Sequence, residues 1–253
     1  IAAKVPMLEP ADSQEAKEFA KAAFCLSEDY DTPVILRMCT RISHSQSMIE
    51  LEERVVPPQK PYQKNVAKYV MMPAYAIARH PLVEERTEKL RRLAENCPFN
   101  RVEMGGTQLG IITSGTCYQY VKEVFGDTVS VLKLGMLNPL PVELIRSFAA
   151  KVERLVVVEE LDGIIERHCK TLGWTVEGKN LFPPLGEYSQ KTVAAAFGVA
   201  EKPVLSIETA IPARPPMMCA GCPHRGMYYT LTRNKCTVIG DIGCYTLGAQ
   251  APL

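Results

Sequence analysis

Leu109-Gly110-Ile111-Ile112-Thr113, Val129-Ser130-Val131-Leu132-Lys133 and Arg154-Leu155-Val156-Val157-Val158-Glu159 are three short apolar runs rich in β-branched residues. Helical patterns separate and follow them: one near 116–125, one opened by Pro141, and one near 162–172. Strand-like runs alternating with helices are the signature of βαβ units, because parallel neighbours need a crossover between them. This stretch predicts an α/β fold with mostly parallel sheets and flanking helices.

Working towards the start of the chain, Asp12 stands three residues before Glu15, a capping-box spacing. Ala16, Phe19, Ala20, Ala23 and Phe24 then recur at helical period, which predicts a helix over 13–28. Val34-Ile35-Leu36 follows turn chemistry and is too short for a helix, so it reads as a buried strand. Its end runs into Arg37-Met38-Cys39-Thr40-Arg41-Ile42-Ser43-His44-Ser45, a polar cluster at the carboxyl edge of a strand, where open α/β sheets place their ligands. Residues 55–77 carry Pro57, Pro58, Pro61 and Pro73 and read as a connector. A charged amphipathic helix is expected over Leu82 to Asn96.

The 253 residues are 47% hydrophobic and 23% charged, the balance of a globular chain. Lysine and arginine number 29 against 28 aspartates and glutamates, a net charge of +1, so bulk charge points to no polyanionic partner such as nucleic acid. Apolar stretches such as Tyr69–Ala78 fall short of the roughly 20 residues a membrane span needs. Nine cysteines, odd in number and scattered through apolar segments, suit a reducing, cytoplasmic interior better than a disulfide framework. Ile1 follows no initiator methionine, and the last residues come directly after a glycine-rich run. The chain therefore reads as an interior piece of a longer polypeptide.

Chemistry concentrates near the end, in Cys219-Ala220-Gly221-Cys222-Pro223-His224-Arg225 and Val238-Ile239-Gly240-Asp241-Ile242-Gly243-Cys244. A C-x-x-C turn aims two sulfurs at one point, and Cys244 lies in a glycine-flanked turn after an expected strand. Three thiolates from two loops suit an iron–sulfur cluster whose fourth ligand lies elsewhere. A Cys₄ zinc site adding Cys236, a redox pair, and free buried thiols remain open. For Cys236, opening an apolar run, a buried thiol is the simpler reading. Asp241 invites the role of a Mg²⁺-diphosphate ligand, but the residues after it offer no partnering asparagine.

Arg41 is the other candidate. A guanidinium pairs with a carboxylate through two parallel hydrogen bonds, so Arg41 at a strand edge can anchor a small organic acid; a solvated loop arginine is the alternative. Ser114-Gly115-Thr116 ends one strand and opens a helix, a turn that caps helices and can also accept an anion.

The two cysteine-bearing motifs, with Pro6-Met7-Leu8-Glu9-Pro10, Thr32-Pro33-Val34-Ile35-Leu36-Arg37, Thr40-Arg41-Ile42-Ser43-His44-Ser45 and Leu134-Gly135-Met136-Leu137-Asn138-Pro139-Leu140-Pro141, resemble the indolepyruvate ferredoxin oxidoreductase alpha subunits. These belong to the thiamine-diphosphate 2-oxoacid:ferredoxin oxidoreductase superfamily. The likeness spans nearly the whole chain; Ala220 departs from the usual proline.

The resemblance implies the end of a pyrimidine-binding domain over 1–55, a connector and linker helix over 56–103, a transketolase C-terminal-like, Rossmann-like domain over 104–211, and the start of a diphosphate-binding domain over 212–253. It implies oxidative decarboxylation of aryl pyruvates to acyl-coenzyme A, with electrons passing through [4Fe-4S] clusters to ferredoxin. Thiamine diphosphate and Mg²⁺ are the implied cofactors, and a smaller subunit is the implied partner. Arg41 would face the substrate carboxylate, Cys219, Cys222 and Cys244 would hold a cluster, and Gly240, Asp241 and Gly243 would lie against cofactor. A zinc-stabilised α/β binding domain and a non-redox thiamine decarboxylase are the competing readings. The activating glutamate and the complete metal motif would lie outside this span, leaving the piece inactive alone.

Overall fold

Asp12 starts the first long helix by accepting the Glu15 N–H at 2.8 Å, as the sequence spacing requires. The computed structural model describes residues 3–56, 58–59, 61–200, 203, 209–210, 212–213 and 215–249. In chain order its elements are β1 (Met7–Leu8), α1 (Ser13–Tyr30), β2 (Ile35–Leu36), α2 (Thr40–His44), α3 (Val66–Tyr69), α4 (Pro73–Glu95), β3 (Arg101–Glu103) and β4 (Gly106–Ser114). There follow α5 (Gly115–Phe125), β5 (Val129–Leu134), β6 (Met136–Asn138), α6 (Val142–Ala149), β7 (Arg154–Val158), α7 (Ile164–Thr171), α8 (Gln190–Phe197), α9 (Pro223–Arg233) and α10 (Cys244–Leu247). They fall into two compact units, residues 1–202 and 203–253. The expected boundary at 211–212 involves residue 211, which lies outside the described residues, as do Pro57 of the connector, Ile1 and the final 250–253.

The first unit is built on the sheet β3-β5-β4-β7, in which β4 runs parallel to both β5 and β7 while β3 is an antiparallel edge. Successive strand residues point to opposite faces, and both faces are covered, which is why these runs are mostly apolar. Ile112, Leu132, Leu134, Leu155 and Val157 face Ile145 and Phe148 of α6 and Ile165 and Cys169 of α7. Ile111, Val131, Val156 and Val158 face Cys117 and Val121 of α5 and Val193 of α8. The result is a three-layer, doubly wound α/β arrangement of the kind the alternation predicts.

A second sheet, β2-β1-β6, joins the beginning of the chain to the segment after β5. The step between sheets occurs at Gly135, where an added Cβ would lie 2.6 Å from the Phe99 carbonyl oxygen. Here the structure corrects one expectation: Val34–Leu36 is not a buried strand. Only Ile35 and Leu36 pair, at the open edge of β1, and Ile35 is 41% exposed. Helix α4 also begins earlier than its amphipathic pattern suggests, because Pro73 is accepted at its first turn, where no N–H partner is needed; Pro81 lies inside it. Among the described residues no helix is long and apolar enough to cross a membrane.

The second unit is small. It holds α9, opened by Pro223 directly after the C-x-x-C turn, and the four-residue α10. The strand expected before Cys244 does not form: residues 236–242 have no strand, with Val238 and Ile239 exposed, and the Cys236 thiol is exposed rather than buried.

Candidate functional site

The chain leaves β4 through α5 to reach β5 on one side, then returns through α6 to β7 on the other. Since α5 and α6 cover opposite faces, the crevice outside the carboxyl ends of β4 and β7 is the topological switch point, where such sheets bind ligands. A cavity of about 420 Å³ occupies it. Its walls come from Ser114 at the end of β4 and Thr116 and Cys117 after it, Glu159–Asp162, Ile164 and Ile165 after β7, Met7 of β1 and Glu9 just after it, Arg37 and Cys39 after β2, and Leu137 and Asn138 of β6.

Glu9 is, with Glu159, one of two buried acids lining this cavity. Its carboxylate pairs with Arg37, while Oε2 is enclosed without a hydrogen-bond partner among the described residues. Burial pushes its pKa above the ordinary value; Arg37 and then the neighbouring Ser114 hydroxyl oppose this, and Glu160 adds to it. Gly115 takes φ +52° where β4 turns into α5, and a Cβ there would lie 3.0 Å from the Glu9 carboxyl. Cys117 beneath is held as a thiol, its pKa raised by burial and then by Glu160 and Glu9. Across the cavity Glu159 caps α7, accepting the Ile164, Ile165 and Glu166 N–H groups at 3.1, 3.0 and 3.0 Å. Sequence reasoning placed Arg37 in the polar cluster at a strand edge without giving it a role, and gave none to Glu9 or Glu159, although the Ser114–Gly115–Thr116 turn that they surround was visible.

Arg41 stands on α2, whose N-cap residue Cys39 lines the cavity. Only Ile42 of this short helix is buried, which turns Arg41 and His44 outwards. Arg41 Nε and Nη2 both donate to Glu187 Oε2, at 3.1 and 2.6 Å. Glu187, then Tyr120 and Glu160, hold the guanidinium in its charged form. Glu160 lines the cavity, whereas Arg41 does not; the helix that bears Arg41 adjoins it through Cys39.

In the second unit, the Cys222 N–H donates to the Cys219 carbonyl at 3.2 Å, and Gly221 takes φ +73°. Cys222 Sγ lies 3.3 Å from His224 Nδ1. The His224 ring stacks on Tyr228 at 6.1 Å and meets Tyr245 edge-on at 5.5 Å, which draws the residue after Cys244 onto α9. Cys222 and Cys244 are both close enough to Tyr228 to help raise its pKa, after burial and Tyr245. The sulfurs nevertheless do not close around one point: among the described residues no three His, Cys, Asp or Glu side chains form a group able to hold a metal ion. Thiolates suit iron–sulfur or zinc by chemistry, but this arrangement does not fit a finished cluster site. Gly240 packs near Tyr245 Cβ, Gly243 takes φ +106° before α10, and Asp241 accepts the Ile242 N–H at 2.7 Å.

No family model matches the chain. Curated relatives do. The chain is 37% identical to indolepyruvate oxidoreductase subunit IorA of Methanothermobacter thermautotrophicus, covering 98% of this chain and 44% of the relative. It is 36% identical to that of Archaeoglobus fulgidus, over 100% and 44%, and 39% identical to that of Methanothermobacter marburgensis, over 98% and 44%. It thus spans less than half the length of the relatives it matches. A solved 2-oxoglutarate:ferredoxin oxidoreductase from Magnetococcus marinus, with 2-oxoglutarate, coenzyme A and succinyl-CoA bound, shares the fold at a TM-score of 0.53 and 17% identity, over 76% of this chain and 41% of that one. The chain belongs to the family of indolepyruvate oxidoreductase IorA subunits.

Proposed function

We propose that this chain is part of a subunit of a thiamine-diphosphate-dependent oxidoreductase that oxidatively decarboxylates aryl pyruvates such as indolepyruvate. The acyl group passes to coenzyme A and electrons pass to ferredoxin, with a smaller subunit as partner, in the cytoplasm. The observation that carries this reading is the kinship with IorA subunits along nearly the whole chain, joined to a switch-point cavity that adjoins, through Cys39, the short helix bearing Arg41. The task of Arg41 is to bind the carboxylate of the 2-oxoacid and so orient the ketone. Apolar side chains from Met7, Leu137 and Ile164 line the cavity.

When bound, thiamine diphosphate supplies the electron sink for loss of CO₂. Gly240, Asp241 and Gly243 lie in the proposed diphosphate domain over 212–253, after 1–55, 56–103 and 104–211 as proposed above, with Mg²⁺ bound chiefly by residues beyond them. Cys219, Cys222 and Cys244 are proposed as three thiolate ligands of a [4Fe-4S] cluster, drawn together when the complete subunit supplies the fourth.

The test uses the full-length subunit with its partner, purified without oxygen. Visible absorbance that bleaches with dithionite and is lost in part on Cys222→Ser supports the cluster assignment. A colourless protein with stoichiometric zinc overturns it. Arg41→Ala should raise KM for the 2-oxoacid at least tenfold without loss of fold; unchanged kinetics would remove Arg41 from the site.

A further inference from the structure

We infer that Glu187 is a resident counter-ion for Arg41, filling the guanidinium in the free enzyme and giving it up to the carboxylate of the incoming 2-oxoacid. The inference rests on the reading of Arg41 as the carboxylate anchor and adds a residue to that site.

The geometry of the pair carries it. Glu187 occupies the Nε–Nη2 edge of Arg41, the edge that a planar carboxylate meets with two parallel hydrogen bonds. It does so with Oε2 alone, which takes both donors at 3.1 and 2.6 Å. A free carboxylate approaching in the guanidinium plane can set one oxygen on each nitrogen, a better arrangement than one oxygen shared between two. The side chains of Arg41 and Glu187 are 61% and 55% exposed, so water solvates Glu187 once it is displaced. Neither partner is left as a buried, unpaired charge.

The backbone explains why Glu187 is presented to Arg41. Its neighbour Tyr188 is buried and donates its N–H to Glu160 Oε1 at 2.7 Å, and Ser189 caps α8. Glu187 is thus presented from a pinned segment, and Arg41 from α2, 146 residues earlier. Two consequences follow. The guanidinium is already paired before substrate arrives, so an incoming carboxylate must displace Glu187 to bind it. Monodentate anions compete with a carboxylate already in place, so small inorganic anions are disfavoured relative to a carboxylate that also fills the cavity.

Steady-state kinetics of the complete enzyme test this, with phenylacetate as a non-reacting carboxylate probe. Glu187→Gln removes the competing charge and keeps the shape. KM for the 2-oxoacid and Ki for phenylacetate should both fall two- to fivefold, the range open to an exposed pair, while kcat holds. Glu187→Ala should do the same, and in an Arg41→Ala background Glu187→Gln should change neither constant. Unchanged or increased KM and Ki in both Glu187 variants overturns the exchange. If Arg41→Ala raises KM and Ki but the Glu187 variants move neither, the anchor stands and the counter-ion role alone fails. If Arg41→Ala itself moves neither, the anchor fails and this inference with it.

Discussion

The Lys133 ammonium, fully buried on β5, donates to the Glu15 carboxylate on the first turn of α1, and the same Glu15 Oε2 accepts the Ala11 N–H at 2.8 Å. One carboxylate therefore ties the helix start to the central sheet. Phe19 lies beneath the ammonium, 4.9 Å from its ring centroid. Glu15→Ala would leave a buried cation without its counter-charge. The expected loss is about 3–5 kcal/mol, read from urea unfolding midpoints, and adding Lys133→Met should restore most of it.

Gly115 should tolerate no side chain. Its φ of +52° is strained for an L-residue, and a Cβ would press on the Glu9 carboxyl. Gly115→Ala is expected to cost about 1–3 kcal/mol and to disturb the cavity floor. Gly126, also at positive φ but with open space around its Cβ position, should cost less on the same substitution. Equal losses for the two would show that the Glu9 contact is unimportant.

Glu9 gives stability a definite pH dependence. Its pKa in the folded chain lies above the ordinary carboxylate value, chiefly through burial, so the folded state holds a proton that the unfolded chain has released. Its contribution is greatest below pH 4.5 and is lost as pH rises through the folded pKa. Glu9→Gln should therefore gain stability relative to the parent as pH rises from 4 towards neutrality, since Arg37, 44% exposed, stays solvated without its partner. Thermal melts across that range measure the difference; a gap independent of pH would count against the shift.

Thiol labelling should divide the cysteines by position. Cys97, Cys117 and Cys169 are buried, and burial raises all three pKa values, that of Cys169 to about 12. They should react with maleimide only on unfolding. Cys25, Cys219, Cys236 and Cys244 are exposed and should label in the native apo-protein. In the metal-loaded complete subunit, Cys219 and Cys244 should become protected while Cys25 remains reactive, as peptide mass spectrometry would reveal.

Local pattern was enough for the central architecture. The β-branched runs at 109–113, 129–133 and 154–158 and the helices between them need only neighbours along the chain to declare themselves, as does the Asp12 cap. Glycine and cysteine spacing likewise marked the Cys219–Cys222 turn. Strands of two or three residues, such as β1, β2, β3 and β6, carry no readable period; their pairing comes from segments brought together by packing.

The same reason hid the exposure of Ile35, which depends on what lies beside an edge strand, and the partners of Arg41 and Lys133, at separations of 146 and 118 residues. Sequence determined which segments become strands and helices and which residue types could bind a carboxylate or a metal. Tertiary structure alone decided which of them meet, because burial and charge pairing are set by neighbours in space rather than along the chain.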